Sequence, residues 1–153
     1  MKSIMLSSLL LCSLWAAAQV PSFPSGKEKY DGKPERFQRV PKEKPFGVEL
    51  AQLHRLMVLG LREQATVQCA EEYTFQGSVI EKRSESPGVF TMVMRATEDQ
   101  DLVFTLSRIT IDGKTTFRGI ILHPNHSDAL LLEPDENGKH AWKSIKRSSL
   151  LAD

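Results

Sequence analysis

Cysteine is nearly missing from this chain: 153 residues carry two, Cys12 and Cys69. Neither charge sign dominates, since 20 Lys and Arg face 19 Asp and Glu for a formal +1, so no global excess draws the chain to polyanions, and nucleic acid is excluded as a partner. No apolar run reaches the roughly 20 residues that a bilayer-spanning helix needs. Phosphate-cradling glycine loops, the G-x-S-x-G nucleophile turn, H-E-x-x-H and paired-carboxylate patterns are all lacking. Those absences argue against an enzyme and imply no cofactor. No period of 20 to 50 residues recurs, which excludes a repeat array.

What is present begins with a leader. Lys2 precedes an apolar stretch from Ile4 to Trp15, and Ala16-Ala17-Ala18 follows. This is the pattern of a signal peptide over residues 1–18 with cleavage before Gln19, and it predicts a secreted or periplasmic protein with no stable membrane insertion after cleavage. Cys12 lacks the small residue that a lipid-attachment site places before its cysteine. Cleavage would leave Cys69 as the one thiol, so no intramolecular disulfide forms in a compartment that permits them. Cys69 therefore reads as a small buried hydrophobe.

Residues 19–45 hold five of the eight prolines, with seven basic against four acidic side chains, a net +3. Without helical or alternating apolar pattern, this stretch reads as a disordered basic arm that tethers the domain. Residues 46–153 carry 12 basic and 15 acidic side chains, a net −3, and form the single domain.

Within the domain, Leu50, Leu53, Met57 and Leu61 fall on one arc at 100° per residue, flanked by Phe46 and Val58. They predict an amphipathic helix starting near Gly47 and stopping between Gln64 and Glu72. His54 lies inside that arc and reads as a core histidine. On one continuous helix His54 and Cys69 would stand roughly 22 Å apart, too far for a Cys-His catalytic pair.

From Tyr73 onward, β-rich runs alternate with turn chemistry: Ser86-Pro87-Gly88, Glu98 to Asp101, and two hairpin dipeptides, Asp112-Gly113 and Asn137-Gly138. Phe90, Met92 and Met94 alternate with polar or smaller residues, as do Leu102, Phe104 and Leu106. The expected fold is α+β, one amphipathic helix packed on a curved antiparallel meander sheet of five or six strands. Gly119 marks a bulge or a close approach to the sheet.

One cluster has metal-ligand chemistry. His123, His126 and Asp128 share a loop and are the candidate metal ligands, with His140 able to join only if the last hairpin folds toward them. Asn125-His126-Ser127 is a glycosylation sequon, so Asn125 is an acceptor if the source is eukaryotic. The functional expectation is a small exported non-catalytic binding module, using the helix–sheet concavity or a sheet edge to hold an apolar small molecule or another protein. Met57, Met92 and Met94 are the adaptable residues for such a concavity. The alternatives are an interaction protein that docks a partner through its basic arm and, behind it, a hydrolase or thiol enzyme.

Overall fold

A computed structural model of the chain describes residues 35–37 and 45–151. The predicted leader and most of the predicted arm lie outside those residues. Among the described residues no helix is long and apolar enough to cross a membrane.

Eight strands form one antiparallel sheet: β1 (Phe46–Val48), β2 (Gln64–Ala70), β3 (Tyr73–Ser86), β4 (Val89–Ala96), β5 (Val103–Ile111), β6 (Lys114–Leu122), β7 (Asp128–Pro134) and β8 (His140–Lys146). From β2 to β8 each strand pairs with the next, and β1 returns to pair with β8, with Phe46 opposite Trp142 and Val48 opposite His140. The sheet curls until β1 and β2, its two edges, come into contact, so the wall is a nearly closed barrel. Register shifts between Gln68 and Ala70, between Val79 and Glu81 and between Ser84 and Ser86 supply bends that curling requires.

This corrects the expectation of five or six strands with a helix lying across one face. The helix α1 (Leu50–Val58) is nine residues long. Phe46–Val48, where the helix is expected to start, and Gln64–Ala70, within which it is expected to stop, are strands instead. The helix stops because Leu59 already has an extended backbone (ψ 140°), Gly60 follows, and Thr66-Val67 prefers the pleated surface that β3 offers. Leu53, Leu56 and Met57 bury into the common core, whereas Leu50, Val58 and Leu61, expected on the inner arc, are exposed. The helix closes one end of the barrel near the β5–β6 and β7–β8 turns: His54 meets the Phe117 ring edge-on at 4.9 Å. His54 is itself exposed, not a core residue.

The inward-facing residues of the strands fill the lumen. Met92, Met94, Phe104, Leu106, Phe117, Ile121, Leu130 and Leu132 have no exposed surface. The Phe104 ring packs at 5.6 Å from Phe75 and 5.5 Å from Trp142. Each such side chain contributes about 1.5–3 kcal/mol when fully buried. A Cβ on Gly119 would stand 3.1 Å from Phe104 Cε2, so the close approach that this glycine marks is made by the molecule's own aromatic ring. Trp142 Nε1 and Ser144 Oγ, successive inward positions of β8, have no hydrogen-bond partner among the described residues.

The turns carry the local chemistry. Asp112 (φ 50°) and Gly113 (φ 75°) both take the left-handed backbone that a two-residue type I′ hairpin demands. At the β7–β8 turn Gly138 has positive φ and Asn137 does not. There the Asp135 carboxylate accepts the N–H groups of Asn137 and Lys139, both at 2.8 Å, and organises a longer loop than the dipeptide predicts.

Candidate functional site

Opposite α1, the barrel mouth is rimmed by three connections: Glu71-Glu72, residues 97–102, and residues 123–127. Asp99 shapes the second. Its main-chain oxygen accepts the Leu102 N–H at 3.0 Å, and its Oδ1 accepts the Asp101 N–H at 3.1 Å, an Asx-type turn that aims the carboxylate across the mouth. The third is laced by Arg147, which follows β8. Its guanidinium donates to the carbonyl oxygens of His123 (3.1 Å), Pro124 (3.0 Å) and His126 (3.4 Å), and its N–H donates to Ser127 O at 2.9 Å. Asn125 stands exposed on that loop.

Into this mouth comes a piece of the predicted arm. Phe37 is 1% exposed and belongs to the hydrophobic core, its ring meeting Tyr73 edge-on at 5.1 Å. Asp128, also 1% exposed, accepts the Arg36 N–H on Oδ1 at 2.7 Å and the Phe37 N–H on Oδ2 at 2.6 Å. The Arg36 guanidinium donates to Asp99 Oδ2 at 2.5 Å. A buried carboxylate is tolerated only where hydrogen bonds replace its water, and two consecutive main-chain N–H groups do so here. Beside the docked segment lies a cavity of about 210 Å³, bounded by Thr74, Gln76, Glu98 and Asp99 and floored by Phe75, Ala96 and Leu102.

The candidate metal ligands are dispersed in role. His123 and His126 are neighbours, rings 4.6 Å apart, but both Asp128 oxygens hold main-chain N–H groups. His123 Nδ1 accepts the Asn125 N–H at 3.1 Å, which leaves the neutral ring's proton on Nε2, 3.5 Å from Asp99 Oδ1. His140 stands at the far end of β8, about 20 Å from the Asp128 end by strand rise. There its Nε2 accepts the Phe117 N–H at 3.0 Å. Among the described residues the group that does converge is Asp99, Asp101 and His123, with ligand atoms within 4.8 Å of one another. The Arg36 guanidinium already stands against Asp99 as its cation.

Burial opposes ionisation of Asp99, but the Asp101 N–H, Arg36 and His123 outweigh it and hold the carboxyl below its usual range. Burial pushes the Tyr73 hydroxyl up to about 12, and the neighbouring Arg36 offsets only part of that. Burial likewise pushes the Cys69 thiol up to about 12; Sγ contacts Val67 O at 3.4 Å and has no exposed surface. A neutral, enclosed thiol is a poor nucleophile, and His54 sits on α1 at the other end of the barrel.

Sequence reasoning singled out the 123–128 loop and missed Arg36, Phe37, Tyr73 and Asp99. The available signal was an arginine followed by an aromatic in a segment otherwise rich in proline and charge. Comparison with protein-family models, curated proteins and solved structures finds no match to this chain.

Proposed function

We propose that this chain is an exported, non-catalytic module that binds polypeptide at its barrel mouth. The leader pattern of Lys2, Ile4–Trp15 and Ala16–Ala18 supports export. The observation that carries the binding reading is the grip of Asp128 on two consecutive main-chain N–H groups, 2.7 and 2.6 Å long. The chain bends at Arg36, which turns the two successive N–H groups toward one carboxylate, the convergent arrangement by which main-chain donors hold an anion, while side-chain pockets add selectivity. The filled lumen counts against an apolar small molecule as the cargo, because Met92 and Met94 are fully buried packing residues. It also shifts the arm's role: Arg36 and Phe37 face inward to the chain's own barrel.

Two measurements test this. N-terminal sequencing of the exported protein should begin at Gln19, and recovery of Met1 would overturn the export reading. Trp142 sits in the lumen and is the one tryptophan outside the leader. Titration with an apolar dye should leave its fluorescence unchanged, whereas a saturable change would restore the small-molecule reading.

A further inference from the structure

We propose that the barrel mouth is a receptor for a peptide bent at a basic residue that is followed by an aromatic one, and that the chain's own Arg36-Phe37, with its bend at Arg36, occupies it as an intramolecular competitor. This rests on the polypeptide-binding reading and names the partner's chemistry.

Each contact made by the resident segment is one that a separate peptide can make. Asp128 reads two N–H groups that a non-proline pair presents together when it bends as Arg36 does, and so fixes the register of the backbone. Selectivity then falls to the side chains. Asp99 faces the first residue and selects a cation. The space beside Tyr73 that encloses Phe37 selects an aromatic ring. The domain's net −3 against the arm's +3 favours a basic partner for the same surface.

Among the described residues, the mouth also keeps open space beside the resident segment. The cavity of about 210 Å³ beside Arg36 has an apolar floor of Phe75, Ala96 and Leu102 and a polar rim that includes Glu98 and Gln76. A partner with a further long side chain next to its basic residue would reach that floor and rim, beyond the contacts that Arg36 and Phe37 make. A tethered competitor acts at an effective concentration of roughly millimolar. A free peptide therefore binds the natural chain weakly unless it exploits that extra volume, and binds well once the resident pair is removed.

The test uses the full chain with Arg36→Ala and Phe37→Ala together, its folding checked by thermal melting, titrated by calorimetry with a synthetic peptide copying residues 33–40. Saturable binding at least about tenfold tighter than to the natural chain is expected. Adding Asp128→Asn should weaken it by at least about tenfold, and a peptide in which the same residues are reordered so that Arg and Phe are separated should bind as weakly. A folded double variant that binds neither peptide overturns both this proposal and the polypeptide reading. Equal binding of the reordered peptide overturns the basic–aromatic preference and leaves the broader reading standing. Should the double variant not fold, a full chain bearing a protease site within residues 38–44 replaces it. After cleavage, added peptide should displace the resident fragment in native mass spectrometry, and a fragment that never exchanges identifies a structural staple and overturns the proposal.

Discussion

The two ends of the barrel are closed by opposite physics. At one end α1 presents Leu53, Leu56 and Met57 to the core. Its N-cap Glu49 makes no side-chain cap bond, and the main polar help comes from Lys82, whose Nζ donates to Met57 O at 3.1 Å and Leu59 O at 2.6 Å. That closure is apolar, contiguous in sequence and written in a repeat. At the other end residues 35–37 do the work with one buried ring, one guanidinium and two main-chain N–H groups on a buried carboxylate. The contrast teaches that an apolar lid must be long to bury enough surface, while a plug anchored by charge-assisted hydrogen bonds can be very short.

The comparison is tested most severely by removing each closure's central side chain. Phe37→Ala and Leu53→Ala should each cost about 3–5 kcal/mol in urea unfolding. A loss below about 1 kcal/mol for Phe37→Ala would show that its burial contributes little and that only α1 is a true closure. Next come the polar anchors. Asp128→Asn should cost about 2–3 kcal/mol, because both N–H groups lose a charged acceptor and one of them then faces an amide –NH2 that cannot accept. Lys82→Met at the helix end should cost only about 1 kcal/mol, since the helix carbonyls there can turn to water. Equal losses would erase the distinction drawn here.

Acid should separate the ends more gently. Burial lowers the His140 pKa from its ordinary 6.5, and protonating Nε2 would break the bond that Phe117 N–H donates. A depressed histidine stabilises the fold above 6.5, and that stabilisation is lost as pH falls toward its folded value. Asp99 is also depressed, from 3.8, so its stabilisation persists to more acidic pH and is lost as pH falls through its folded value. Protection from hydrogen exchange, taken relative to the intrinsic base-catalysed rate at each pH, should therefore fall between pH 7 and 5 at the Phe117 amide near α1 before it does at the Asp101 amide in the mouth. His140→Gln should flatten the first response and leave the second. The reverse order would sink the assignment. The smallest effect belongs to the Arg36–Asp99 pair, whose side chains are 29% and 26% exposed. Arg36→Ala should cost less than about 1 kcal/mol and be further reduced by salt, as a screened pair requires.

What could be read beforehand follows the same division. The alternation of Met92 and Met94, and of Leu102, Phe104 and Leu106, marked strands whose inner faces are buried, because a period of two is a local property. The turns expected at Ser86-Pro87-Gly88, Glu98 to Asp101, Asp112-Gly113 and Asn137-Gly138 all fall at or between the ends of successive strands from β3 to β8. The helix was visible but overextended: apolar spacing from Phe46 to Cys69 suits a helix arithmetically, yet β1 and β2 gain pairing partners in β8 and β3 that spacing cannot reveal. Leu56 was missed for the related reason that the inner face was centred too near Leu50 and Leu61. The candidate site was half legible. His123, His126 and Asp128 were recognised as a polar cluster, but nothing local says that the buried Asp128 carboxylate would take main-chain N–H groups from a segment some 90 residues earlier in the chain.

By itself the sequence determined the antiparallel β-rich character, the Asp112-Gly113 hairpin and the existence of one amphipathic helix, all of which follow from propensity, period and turn chemistry within a few residues. Only the tertiary structure decided that the sheet curls into a nearly closed barrel, that Phe104 fills the space left by Gly119, that Phe37 belongs to the core and that Arg36 pairs with Asp99 at the mouth. Those outcomes depend on which distant surfaces meet, and contact between distant surfaces leaves no periodic trace in either partner.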